Sequence, residues 1–334
     1  MARPIKEFAD AWRALSGFSG TNGWRMVPVA PAGGCQLHAG RHFPGNEEAL
    51  LVRFKSASIP PAAMLPCGQG FSVDRVESAE FAQGWLALSR QSSGTPELFE
   101  MMVADVAGVL DAHAAQTEAQ MLKSFLSRVR GWQDFMKAGS SAMGPEAELG
   151  LAGELIFLDT IIKAGVSSAF AMSAWVGPLN APQDFVLGTG AVEVKSTLAS
   201  AGFRAKIGSL EQLDNSLRTP LFLGAARFAE TASGATLPEL AAVVRNSMSQ
   251  SLTADNAFKD RLFAAGYIDA HADRYTRRFV LSELRILEVH SGFPRITLGT
   301  APAGVLRAAY EIDIDQAAFP NIAPIDALQR LGVL

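Results

Sequence analysis

Asp184, Glu193 and Lys195 are spaced so that two acids and a lysine meet on one face of a β-hairpin. Asp184-Phe185-Val186-Leu187 and Ala191-Val192-Glu193-Val194 are short apolar-rich runs flanking Gly188-Thr189-Gly190, a hairpin pattern. Side chains alternate along a strand, so Glu193 and Lys195 share a face. With Thr189-Gly190 as a two-residue loop, Gly188 pairs with Ala191, Val186 with Glu193 and Asp184 with Lys195. That register gathers Asp184, Glu193 and Lys195 and turns Phe185, Leu187, Val192 and Val194 the other way. A one-residue slip would scatter the set. Paired carboxylates are hard oxygen ligands for Mg²⁺, which keeps several waters and accepts phosphate oxygens. Such an ion polarises a phosphate and acidifies a water, and a lysine alongside orients that water or offsets charge. The chemistry expected is metal-assisted phosphodiester hydrolysis.

The triplet alone is weak. Glu-x-Lys occurs about once by chance in a chain of this length, and an exposed strand with a Glu–Lys pair is the plain alternative. Lys195 is, however, the only lysine with an acid two places before it. The surrounding elements carry more. Leu151, Leu155, Leu158 and Ile162 recur at helical spacing, predicting a helix from about Pro145 to Ala164. Phe170 to Val176 reads as a strand. After the hairpin, Ser209-Leu210-Glu211-Gln212 has a capping-box pattern, with Ser209 as N-cap and Gln212 reaching back. Leu221-Phe222-Leu223 begins another strand, and Thr236-Leu237-Pro238-Glu239 caps a further helix. The order is helix, three strands, helix, strand, helix.

In these residues the chain resembles the PD-(D/E)XK nuclease superfamily, whose restriction-endonuclease-like core is αβββαβ. It is most similar to a branch encoded beside restriction–modification and phage-defence genes. The matching stretches are Gly150 to Leu155, Trp175 to Pro178, Asp184-Phe185, Glu193 to Thr197 and Ser209 to Leu213, with upstream likeness at Trp132 to Phe135. Gln183 stands between Pro182 and Asp184, so the literal Pro-Asp pair is absent. The resemblance implies that Asp184, Glu193 and Glu154 bind Mg²⁺, with Mn²⁺ as a substitute, and that Lys195 completes the catalytic set. Read from periodicity alone, Glu154 is a boundary glutamate beside the apolar stripe with its head in water. Gln212 would contact phosphate or hold the lysine, and Ser209 would contact phosphate, although helix capping already accounts for them. Arg204 and Lys206, between the motif strand and the Ser209 helix, are better placed for DNA than Arg274, Arg277 and Arg278, which read as a solvated face.

Hydrophobic residues make up 49% and charged residues 19% of the 334, the balance of a globular chain. No apolar run is long enough for a membrane, and the first residues lack a signal-peptide core, so a cytoplasmic protein is expected. Cys35 and Cys67 have no paired spacing, and His38 and His42 sit in strand and turn surroundings, so no disulfide framework or zinc site is indicated. Net charge of −4 does not advertise a nucleic-acid binder, so positive charge would have to be local. Strand-like runs at 24–29, 49–54, 71–76 and 85–88 predict an N-terminal β-rich domain over 1–95. Helical stripes at Phe99 to Leu110 and Phe125 to Met136 predict connecting helices over 96–140. The nuclease core is expected over 141–250 and its C-terminal extension over 251–334, with a helix near Asp255 to Ala265 and strands at Phe279 to Glu288 and Tyr310 to Ile314. The fold class is therefore α/β, an α+β arrangement with a mixed sheet. The function expected is a Mg²⁺-dependent DNA endonuclease in restriction or phage defence, with DNA, other defence proteins or a second copy as partners. The alternatives are a catalytically silent subunit of the same fold and a Mg²⁺-dependent hydrolase of another phosphate ester.

Overall fold

The computed structural model describes residues 6–17, 22–76, 83–137, 143–179, 181–248, 251–316 and 319–334. The chain forms two compact units, Met1–Ser141 and Ala142–Leu334. The expected boundary at 140/141 falls outside the described residues.

In the first unit, helix α1 (Lys6–Leu15) precedes strands β1 (Gly23–Pro28), β2 (Gln36–Phe43), β3 (Glu47–Arg53), β4 (Cys67–Gly68), β5 (Phe71–Arg75) and β6 (Trp85–Arg90). They pair antiparallel in the order β1-β2-β3-β6-β5-β4. Strand β2 lay outside the apolar runs because His38, Gly40, Arg41 and His42 interrupt its pattern. Arg41 is nonetheless buried, donating to Trp12 O and Glu48. Helices α2 (Pro96–Ala112) and α3 (Glu118–Lys137) follow. Trp12 of α1 bonds Ala49 O on the sheet and lies 5.6 Å from the Phe99 ring of α2, while Phe54 meets Phe125 of α3. His42 packs on Trp24 and His38 on Trp85, and both cysteines are free.

The second unit begins with α4 (Pro145–Lys163), whose Leu151, Leu155 and Leu158 are buried as their spacing predicts. Next comes α5 (Ser168–Ala174), where a strand was expected. A seven-residue apolar run does not distinguish strand from buried helix by periodicity. Here the Ser167 hydroxyl accepts from Phe170 N, and Ala171, Met172 and Ala174 form the buried side. Strands β7 (Phe185–Leu187), β8 (Gly190–Thr197), β9 (Arg204–Ile207) and β10 (Leu221–Ala235) follow. Then come α6 (Leu237–Ser247), α7 (Leu252–Ala264), β11 (Phe279–Glu288), β12 (Tyr310–Asp313) and α8 (Pro324–Arg330). Thr236 and Glu239 complete the expected capping box on α6.

The main sheet is mixed, in the order β11-β10-β8-β7: β8 and β10 run parallel, and the outer pairs run antiparallel. This is the α+β, mixed-sheet arrangement expected from the motifs. One core, with Leu155, Phe157, Trp175, Phe185, Val192, Val194 and Phe222, lies on the helical side of the sheet. A second, with Ala191, Phe203, Ile207, Leu221, Leu223 and Ile312, lies on the side of the small β9–β12 sheet.

No helix forms at Ser209. The carbonyls a helix would use are bonded to side chains from elsewhere. Gln183 takes Glu211 O, and Arg295 takes Leu213 O together with Asn215. Asp214 also bonds Ser216 N, a local turn that competes with helix.

Candidate active site

The hairpin turn is Gly188-Thr189 rather than Thr189-Gly190. Phe185 pairs with Val192, Val186 with Ala191 and Leu187 with Gly190. Continued by one residue, this register sets Asp184 across from Glu193. Every pairing is therefore displaced by two residues from the expected one. A shift of two preserves the side-chain alternation, so the acids and the lysine keep their common face. Phe185, Leu187, Val192 and Val194 enter the helical core as predicted. Gly188, at φ 55°, supplies the left-handed turn residue, and a Cβ there would collide with Leu331 O.

Asp184 is held from both sides. Its Oδ2 accepts from Val194 N at 2.7 Å, and its carbonyl accepts from Val176 N and Gly177 N. Gly177 must be small, since a Cβ would lie 2.6 Å from Asp184 Oδ1. Glu193 is 1% exposed, and Lys195 Nζ lies 2.6 Å from its Oε1. Glu193 Oε2 is buried with no hydrogen-bond donor. Lys195 is steadied by Gln212 Oε1 at 3.3 Å, which also accepts from Gly208 N at 2.7 Å. Gln212 thus reaches back as a capping residue would, but it closes a turn over Lys195.

Glu154 comes to the hairpin from α4 because Gly153 allows close approach: a Cβ on Gly153 would lie 2.0 Å from Ser196 Oγ on β8. Glu154 is half-buried, as a boundary residue is, but its head is bonded within the protein. Trp175 Nε1 donates to its Oε2 at 2.6 Å, and burial, followed by the neighbouring Asp184 charge, pushes its pKa up to about 8. Asp184 is raised by burial, against the Val194 N–H and Lys195. Glu193 is raised well above the usual carboxylate range by burial and by Asp184, with Lys195 opposing. Three acids therefore repel one another around one lysine, Glu193 fully buried and Glu154 and Asp184 partly so.

The family model DUF4420, described as "Putative PD-(D/E)XK family member", matches residues 8–315. The chain belongs to this family. No curated protein and no solved structure matches it.

PD-(D/E)XK nucleases generally use divalent metals, and the DUF4420 chain can be tested for fit. Its donors are carboxylate oxygens, among them the buried and unmet Oε2 of Glu193. That suits a hard cation that retains waters. Among the described residues, no three His, Cys, Asp or Glu side chains form a ready metal-holding group. A pair of carboxylates, completed by water and phosphate, is what the site offers.

The remaining sequence candidates separate. Arg204 and Lys206 are exposed on β9, and Lys206 lies 4.0 Å from the still more open Glu146. Ser209 caps no helix, so a phosphate site at a helix N-terminus is not built there. Arg277 pairs with Glu148 and Glu230, and Arg278 with Glu239, so those arginines serve the fold. Two contributors escaped the sequence reading. Gln183, the departure from the Pro-Asp pair, ties the hairpin to the Gln212 turn through Glu211 O. Trp175 reaches Glu154. Its place in the matched Trp175 to Pro178 stretch was the only signal. Among the described residues, no helix is long and apolar enough to cross a membrane.

Proposed function

We propose that this DUF4420 member is a divalent-metal-dependent DNA endonuclease that hydrolyses phosphodiester bonds. The observation that carries the reading is Glu193: a carboxylate fully buried beside Asp184, with Lys195 at 2.6 Å from Oε1 and no donor on Oε2. Burying a carboxylate with one oxygen unmet costs about 1–3 kcal/mol even when the other is paired, and folding alone gives no reason to place three acids there. Asp184 and Glu193 would hold Mg²⁺ or Mn²⁺, with Glu154 reaching the ion through water. When bound, that ion polarises the phosphate and lowers the pKa of a water. Lys195 then parts from Glu193 to orient the attacking water or offset charge on the phosphate. Gln212 keeps the ammonium within reach, and Arg204 and Lys206 would meet the DNA backbone. The restriction or phage-defence setting rests on the motif resemblance alone. Paired cuts in a duplex would call for a second copy of the chain.

A second reading, a silent subunit that binds DNA or defence proteins, draws on the closed Lys195–Glu193 pair and the net charge of −4. Plasmid DNA with Mg²⁺ or Mn²⁺ separates the two. Nicking by the wild type that Asp184→Asn and Lys195→Ala both lose supports the nuclease. Absence of cutting by folded wild type favours the silent subunit.

A further inference from the structure

Resting on the site proposed above, we propose that Trp175 is the positioning residue that locks Glu154 to the Asp184 hairpin. Its indole N–H holds one carboxylate oxygen so that the other is presented to a divalent cation. Trp175 is fully buried, and its Nε1 donates to Glu154 Oε2 at 2.6 Å. The ring has little freedom. It stacks on Phe185 at 6.4 Å with 15° between planes, and it meets Phe258 of α7 at 6.0 Å.

The Trp175 backbone is tied just as firmly. Trp175 pairs antiparallel with Phe185, the residue after Asp184, and its carbonyl accepts from Arg261 Nε at 2.7 Å. Val176 N and Gly177 N, the next two donors along, both bond Asp184 O. One short stretch therefore grips Glu154 through a side chain and Asp184 through the main chain. It sets the distance between acids that come from a helix and from a strand.

A buried indole needs an acceptor for its N–H, and any carbonyl would serve that purpose. Here the acceptor is a carboxylate in the candidate site, and burial and Asp184 keep its pKa high even with the bond in place. An outer partner that orients a metal-binding carboxylate changes metal affinity by about 10–100-fold.

The test is Mn²⁺ binding, followed by the electron spin resonance of the free ion, on the whole chain without DNA. Wild type, Trp175→Phe, Glu154→Gln and the double variant are compared, each with its urea-unfolding curve. Trp175→Phe is expected to unfold cooperatively and to bind Mn²⁺ about 10-fold more weakly. In the Glu154→Gln background the same change is expected to cost nothing more. Undiminished binding by Trp175→Phe, or losses that multiply in the double variant, would overturn the positioning role and leave the metal site standing. Absence of Mn²⁺ binding by the wild type would overturn both. If Trp175→Phe does not fold, benzothienylalanine at position 175 keeps the ring and removes the N–H, and the same outcomes decide.

Discussion

Gly153 and Ser196 meet so closely that a Cβ on the glycine would lie 2.0 Å from the serine hydroxyl oxygen. The next contacts, Ser196 Cβ and Val194 Cγ1, are at 3.4 Å, so the hydroxyl alone is the obstacle. This contact sets how near α4 comes to β8, and so how near Glu154 comes to Asp184. Gly153→Ala gains helix propensity of about 1 kcal/mol but overpacks the interface by about 1–3 kcal/mol. Ser196 Oγ is buried without a hydrogen-bond partner, so removing it relieves strain without breaking a bond. Gly153→Ala combined with Ser196→Ala should therefore be more stable than Gly153→Ala alone by about 1–3 kcal/mol in urea unfolding. Simple additivity would mean that the hydroxyl swings aside.

The raised carboxylates make a pH signature. Folded Glu154 holds its proton to about pH 8, whereas the unfolded chain releases it near 4.5. Between those values the folded state binds more protons, so stability falls as pH rises and levels off above about 8. Asp184 and Glu193 act in the same direction. The depressed histidines His38 and His271 act oppositely, but only around and below their ordinary value of 6.5. In metal-free buffer the unfolding midpoint should drop from pH 6.5 to pH 8, and Glu154→Gln should flatten that slope. An equal slope in the variant would show that Glu154 titrates normally.

Lys195 and Gln212 should differ in degree. Lys195→Ala removes the only cation in contact with Glu193 among the described residues, and nicking should fall by about 100-fold or more. Gln212→Ala removes an acceptor at 3.3 Å from a charged group that stays in place. A loss of about 10-fold in kcat/KM is expected. Initial rates of plasmid relaxation distinguish them, and equal losses would argue against a merely supporting role for Gln212.

The two basic clusters should also part company. Arg204→Ala and Lys206→Ala change exposed β9 side chains, so each should weaken duplex binding and reduce the salt slope by about 1, without altering stability. Arg277→Ala leaves buried Glu148 facing burial and the Glu230 charge, which should cost about 3 kcal/mol in unfolding and leave DNA affinity unchanged. Fluorescence anisotropy at several salt concentrations, with urea unfolding alongside, reads both.

What the sequence determined by itself was local. The leucine spacing of α4, the Thr236 capping box and the bounds of β11 depend on residues within a few positions of one another. So does the alternation that puts Glu193 and Lys195 on one face of β8, and it survived the two-residue change of register. The tertiary structure decided everything that required a distant partner. Arg295 and Gln183 drew the carbonyls of 211–213 away from helix, and the core took one side of the 168–174 run as a helix. Gly153 and Trp175 turned Glu154 in toward the Asp184 hairpin. Periodicity records which side of an element is apolar, but the hydrogen bonds and burial that fix a register, a loop or a pKa come from groups far along the chain.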